Sequence, residues 1–238
     1  ALLVAVVVVR PDAAAIVRVP EDFRSVQAAV DAAPDGGVVI LAKGVHLGPV
    51  NMRGKSVTLK GEWGAEFTSL LGGDGVIQCM SGEGPSTVIE GLSIVGGEGW
   101  LGEDGLRRGG GVYIDGASPV LRRCMIVGNE ADRGAAVWLR GGVPLFEDCW
   151  FHDNMSEQTD GVVCEGTAPK FIRCGFHEDG VQWADAPVVS IRTDCESPGG
   201  ACCLGSVCVD TTFEACVAAN GRWHETIPCA PSTCPAHC

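Results

Sequence analysis

The sequence predicts an all-β solenoid, a parallel β-helix built from coils of about 25 residues, and two observations carry that prediction. The first is a set of columns in one register. Cys124, Cys149 and Cys174 stand 25 residues apart, and the same step relates Pro119, Pro144 and Pro169, then Gly116, Gly141 and Gly166, then Leu121, Phe146 and Phe171, and finally Ile126, Phe151 and Phe176. The second is what fills each unit. Leucine-rich repeats can share this period, but they follow the strand with a helical segment or its equivalent, and no unit here contains a helical stretch. Each unit reads as a short strand (Val112 to Asp115, Val137 to Arg140, Val162 to Glu165), a Gly-containing turn, then Pro and further short strands ending at Asn129, Asn154 or Asp179.

Coils stack at the inter-strand spacing of about 4.8 Å, so equivalent residues form columns. The inward columns are predicted as Val112, Val137, Val162; Ile114, Leu139, Cys164; Leu121, Phe146, Phe171; Cys124, Cys149, Cys174; and Ile126, Phe151, Phe176. A lone coil cannot bury its apolar side, and stacking makes one continuous core. Upstream, Val88 to Gly96 aligns with Val120 to Gly128 after a shift of 32, one coil plus seven inserted residues, and the insertion lies in Gly97 to Arg108 with Trp100, Glu103 and Asp104. Downstream, Val188 to Arg192 follows Val163 to Thr167 by 25 and is expected to begin a last, incomplete coil. A solenoid needs covered ends. Asp22 to Ala33 is read as a capping helix, since Phe23, Val26, Ala29, Val30 and Ala33 fall at helical spacing and Pro34-Asp35-Gly36 stops it.

Composition bounds the function. The formal charge of −13, with only 17 Lys and Arg, argues against nucleic acid and anionic membranes as partners and leaves neutral glycans or divalent cations. Five of the thirteen cysteines lie between Cys79 and Cys174 and eight crowd into the tail: Cys195, Cys202, Cys203, Cys208, Cys216, Cys229, Cys234 and Cys238. That even cluster reads as a disulfide framework of unknown pairing in an oxidising compartment, with zinc held by Cys229, Cys234, His237 and Cys238 as the rival. Ala1 to Val9 is an unbroken apolar run followed by Ala13 to Ala15, which reads as a signal peptide with cleavage near Ile16; the competing reading is a buried first strand. No segment approaches the roughly 20 apolar residues of a membrane-spanning helix. The expected organisation is a signal at 1–15, the solenoid at 16–193 and a cysteine-rich module at 194–238, in a chain secreted, held at the cell surface or periplasmic.

The segment Val17 to His46 (VRVPEDFRSVQAAVDAAPDGGVVILAKGVH), followed by GKSVTLKG at Gly54 to Gly61, resembles the N-terminal cap and first coil of pectin-lyase-like proteins, especially pectinesterase-like members. The resemblance covers about residues 17 to 193 and implies a right-handed parallel β-helix. It does not carry activity across. The family's catalytic strings (QAVALR and DFIFG in pectinesterases, RxPxxR in pectate lyases, GHG in polygalacturonases) are absent, and GVYIDG at Gly111 to Gly116 resembles a lyase WIDH segment without its His. The tail Gly200 to Cys229 resembles short GACC-type cysteine modules of secreted bacterial proteins, which imply no chemistry.

Four sets of residues are candidates for function. On the outward face of the first strands, Tyr113, Trp138 and Val163 form one column and Asp115, Arg140 and Glu165 the next. With Trp100 from the insertion they suit sugar rings, or else form a plain surface with a charge ladder worth roughly 0.2 to 1 kcal/mol per pair. His152 and His177, one coil apart, would suit a metal or acid–base work, or simply belong to a polar turn in which Asn154 and Asp179 bind backbone groups. The Cys124, Cys149, Cys174 column is straight, whereas metal ligands converge, so these are read as small buried thiols. Glu98, Glu103, Asp104, Glu130 and Asp132 are too ordinary a set for a calcium site. No cofactor or metal is predicted. The expected function is a non-catalytic carbohydrate-binding or structural β-helix, with a polysaccharide lyase or hydrolase as the alternative.

Overall fold

The structure, a computed structural model, describes residues 14–156, 161–167 and 169–176, and the backbone of His177 and of the strands Val181–Ala184, Ile191–Arg192, Gly200–Leu204, Val207–Thr211 and Arg222–His224. The chain coils as a right-handed parallel β-helix with three long sheets. The first sheet has six strands, ordered Val50–Asn51, Ile77–Cys79, Val112–Asp115, Val137–Arg140, Val162–Glu165 and Val181–Ala184. The second has eight, from Ile16–Val19 to Ile191–Arg192, and the third six, from Gly44–Leu47 to Gly175–His177. The 25-residue register holds in all three: Val112 pairs with Val137 and Val137 with Val162, Leu121 with Phe146 and Phe146 with Phe171, and Ile126 with Phe151 and Phe151 with Phe176. The shift of 32 also holds, with Val88 opposite Val120 and Ile94 opposite Ile126.

The core follows from strand alternation, which sends every second side chain inward. Val112, Val137, Val162, Ile114, Leu139 and Cys164 are fully buried, as are Phe146 and Phe151. Phe146 stacks on Phe171 with centroids 4.9 Å apart, Phe151 on Phe176 at 4.6 Å, and the two columns meet edge to face at 5.9 Å. Such offset and edge contacts add about 0.5–1.5 kcal/mol per pair beyond area burial. Cys124, Cys149 and Cys174 line up beside them as free, buried thiols. The Cys149 Sγ bonds the Glu147 carbonyl at 3.4 Å, and burial pushes its thiol well up.

Turns set the coil. Gly116, Gly141 and Gly166 all have positive φ (65°, 68° and 57°), which explains why that column is glycine. Between the second and third sheets, Arg123, Asp148 and Arg173 take φ of 52°, 53° and 51°, a left-handed conformation unusual for residues with a Cβ. Their side chains compensate across coils: Arg173 Nε donates to Asp148 Oδ1 at 2.6 Å and Nη2 to Glu147 at 2.9 Å. At the end of the third strands Asn129 and Asn154 form a buried amide ladder, with Asn129 Nδ2 donating to Asn154 Oδ1 at 2.8 Å and Asn154 Nδ2 to the Ile126 carbonyl at 2.9 Å.

Two expectations need correction. The helix spans Val26–Ala32 rather than starting at Asp22, because the Asp22 carboxylate accepts the Arg18 N–H at 2.8 Å and closes a turn; Ser25 then caps the helix. Val26, Ala29, Val30 and Ala33 are buried as predicted, and Lys55 Nζ donates to the carbonyls of Val30 and Asp31 at its end. The last coil is also shorter than 25 residues. Val181 pairs with Val162, and Ile191 pairs with Phe171 in the second sheet, so Ile191–Arg192 does not belong to the first sheet as the 25-residue step would have it, and residues 188–190 lie outside the described residues. The turn explains it: Phe151 and Val162 are 11 positions apart, Phe176 and Val181 only 5.

In the tail, Gly200–Leu204 pairs antiparallel with Val207–Thr211 and Arg222–His224, which puts Cys203 opposite Cys208 and Cys202 opposite Val209. Cys195, Cys216, Cys229, Cys234 and Cys238, like residues 1–13 of the segment read from sequence as a signal peptide, lie outside the described residues.

Candidate functional site

The insertion builds the site. Residues after Gly97 form an antiparallel hairpin, Trp100–Leu101 against Arg107–Arg108, which folds over the outer face of the first sheet. This overturns the expectation of an exposed aromatic column. Tyr113 is 7% exposed, Trp138 2% and Val163 fully buried, and they form a second apolar cluster outside the sheet with Trp100 and Met80 packed against it. Covering the aromatic pair takes its apolar surface out of water, which is favourable.

The rings form a series. Trp100 lies 6.0 Å from Tyr113, tilted by 40°, and Tyr113 stacks on Trp138 at 4.8 Å. Arg108 and Arg140 approach the Trp138 ring, their guanidinium carbons 5.9 and 5.5 Å from its centroid. Between hairpin and sheet is an open cleft of about 500 Å³, lined by Trp100, Arg108, Tyr113, Trp138, Arg140 and Glu165 among others. Five of the six residues singled out from sequence thus meet at one cleft. Asp115 stands behind Arg140, accepting from its Nε at 3.0 Å and from Nη2.

The predicted charge ladder is only half present. Arg140 pairs with Asp115, but Glu165 pairs instead with Arg133 at 2.9 Å, a residue of the turn that follows the third strand. Arg108 binds Asp104 through both carboxylate oxygens, one at 2.8 Å. These pairs fix the charge. The guanidinium of Arg108 holds the Asp104 carboxyl well below the usual carboxylate range, and Asp104 and Asp115 in turn raise Arg108 and Arg140. Burial, then the charge of Asp115, pushes the Tyr113 hydroxyl up, so it is neutral at physiological pH. The Trp138 indole Nε1 is buried with no hydrogen-bond partner among the described residues.

The other candidates gather less. His152 pairs in register with His177, as predicted, and its Nδ1 lies 3.0 Å from Asp153. Asn154 does satisfy backbone groups of the turn. Glu98, Glu130 and Asp132 border a second cavity of about 420 Å³, but Arg107 sits among them, its backbone N–H bonded to Asp132 at 2.6 Å. Among the described residues no three His, Cys, Asp or Glu side chains converge as a metal site. One ionic centre escaped the sequence reading altogether: Glu90, its side chain 6% exposed, binds Lys60 at 3.2 Å, Arg122 at 2.6 Å and Arg123 on the outer face of the second sheet.

No family model matches the chain, and no curated protein sequence matches it. Among solved structures, a pectin methylesterase mutant in complex with a hexasaccharide superposes with a TM-score of 0.52 at 14% identity, covering 78% of this chain and 58% of that one. The chain therefore spans somewhat more than half the length of that enzyme. At this identity the likeness is one of fold, and it agrees with the parallel three-sheet coil. No helix among the described residues is long and apolar enough to cross a membrane.

Proposed function

We propose that this chain is an exported carbohydrate-binding β-helix, and that the cleft between the inserted hairpin and the first sheet is where it holds a sugar. The observation that carries the reading is the convergence of Trp100, Tyr113 and Trp138 with Arg108, Arg140 and Glu165 around one open cleft of about 500 Å³. Trp100, half-buried, offers the accessible part of its indole to the C–H groups of a pyranose, and the fixed guanidinium and carboxylate groups offer donors and acceptors to its hydroxyls. The pectin-acting enzyme of similar fold was bound to an oligosaccharide, which supports the same ligand class here.

A non-catalytic role fits the carboxylates. Hydrolysis or elimination needs a group poised to give or take a proton near working pH. Here Asp104, Asp115 and Glu165 are each paired with an arginine, and Asp104 is held ionised. The alternative, a polysaccharide-acting enzyme, would require Glu103 or an unpaired Glu165 to act alone. Titration of the full chain with a panel of neutral and uronic-acid oligosaccharides, followed by tryptophan fluorescence, tests the site. Saturable quenching that Trp100→Ala weakens tenfold or more is expected; equal affinity in the variant would move the site elsewhere.

A further inference from the structure

The outer face of the third sheet carries a second feature that the cleft does not use. Strand alternation places two columns there: Val45, Ser69, Ser93, Met125 and Trp150 in one, Leu47, Leu71, Val95, Val127 and His152 in the other. No Asp, Glu, Lys or Arg occupies any of these ten positions. On the second sheet, by contrast, one of the two outward columns is charged and runs Lys60, Glu90, Arg122 and Glu147. The strip is open towards its two ends, with Leu47 74% exposed, Val45 64%, Leu71 38% and Trp150 58%, while Ser93 in its middle is buried. Single exposed apolar residues are ordinary, but seven apolar side chains aligned over five coils, interrupted by Ser69, Ser93 and His152, are not. The seat of Trp150 is specific: a side chain at the next position in its column would meet the ring at 2.6 Å, and that position is Gly175. The indole covers the glycine and leaves the rest of its surface to solvent.

We infer that this face is a second glycan-contact surface, taking an uncharged polysaccharide chain laid along the solenoid axis; the inference rests on the carbohydrate-binding reading but not on the cleft. Shape argues for it. Four inter-strand steps make the strip about 19 Å long, and two outward columns of a strand lie only about 7 Å apart, so it is long and narrow. A stable dimer buries about 800 Å² per partner, several times what such a strip offers, and two chains of formal charge −13 repel. An extended peptide would lose water from its N–H and C=O groups along the whole strip, where Ser69 and His152 are the partly exposed polar side chains that could replace it. A pyranose chain lays its C–H faces on the strip and points its hydroxyls sideways into water. The lack of charge selects a neutral chain rather than a polyanion.

The test is depletion of the purified full-length protein by amorphous cellulose and by a neutral insoluble mannan, at low salt and at high salt. Retention on at least one, unchanged by salt, is expected, with a loss of tenfold or more in the double variant Leu47→Asn, Trp150→Ser. Both substitutions are at exposed positions, and an unchanged melting temperature verifies that the variant is folded. Trp100→Ala, in the cleft, should be retained like the wild type, which separates this surface from the cleft. No retention on either polymer, retention lost only with Trp100→Ala, or a dimer of the wild type that the double variant dissociates would each overturn the inference.

Discussion

Replacing Glu90 by Gln should remove an acid-sensitive share of the protein's stability. Burial alone would push this carboxyl up, but Arg123, Lys60 and Arg122 more than reverse that and hold it at about 2, from an ordinary 4.5. Every tenfold weakening of proton binding on folding corresponds to about 1.4 kcal/mol, so the ionised Glu90 stabilises the fold by about 3 kcal/mol. Because the folded value is the lower one, that contribution is complete above about pH 5 and is lost as pH falls from 4.5 towards 2. Glu90→Gln mimics the protonated acid and leaves Lys60, Arg122 and Arg123 without their anion, but all three are partly exposed and stay hydrated, so the loss is set by the Glu90 carboxylate itself. Urea unfolding of both proteins at a series of pH values from neutral down to about 2.5 gives the comparison. The difference should be about 3 kcal/mol at neutral pH and shrink by most of that at the acid end. A difference that stays constant with pH would refute the assignment of Glu90 as the ionised centre of this cluster.

Other perturbations separate inside from outside. Phe146→Asp puts an unpaired charge between Leu121 and Phe171 and should abolish folding, while Arg140→Ala, 59% exposed at its side chain, should lower stability by no more than about 1 kcal/mol; thermal melts of both check this. Cys124, Cys149 and Cys174, all buried, should react with an alkylating agent only after denaturation, and mass spectrometry of the unreduced protein should find the eight tail cysteines linked to one another. Free tail thiols with stoichiometric zinc would make the tail a metal module instead. N-terminal sequencing of the exported protein should begin close to Ile16; recovery of Ala1 to Val9 in it would contradict the signal-peptide reading.

The coil was legible in the sequence because inward columns repeat residue by residue, and Phe146 over Leu121 or Cys149 over Cys124 can be read without knowing a turn. What was not legible lives in the turns and insertions. The last coil loses residues between Phe176 and Val181, so a fixed step of 25 misplaced it. Glu90 stands 30 residues after Lys60 and 32 before Arg122, steps that hide the column from a search at one period. The site residues Trp100, Tyr113 and Trp138 were recognisable by type, but their burial depends on a hairpin folding back, a tertiary event. One signal could have found it: Asp104-Gly105 between Trp100-Leu101 and Arg107-Arg108 is a hairpin turn pair.

The central claim is that the cleft binds a saccharide without transforming it. Incubating the full-length protein with each oligosaccharide that quenches its tryptophan fluorescence, then following chain length and substituents by mass spectrometry over many hours, tests it most directly. The account predicts saturable binding weakened by Trp100→Ala and an oligosaccharide recovered unchanged. New products that appear with the wild type and vanish with Glu165→Gln or Glu103→Gln would contradict it and make the cleft an active site.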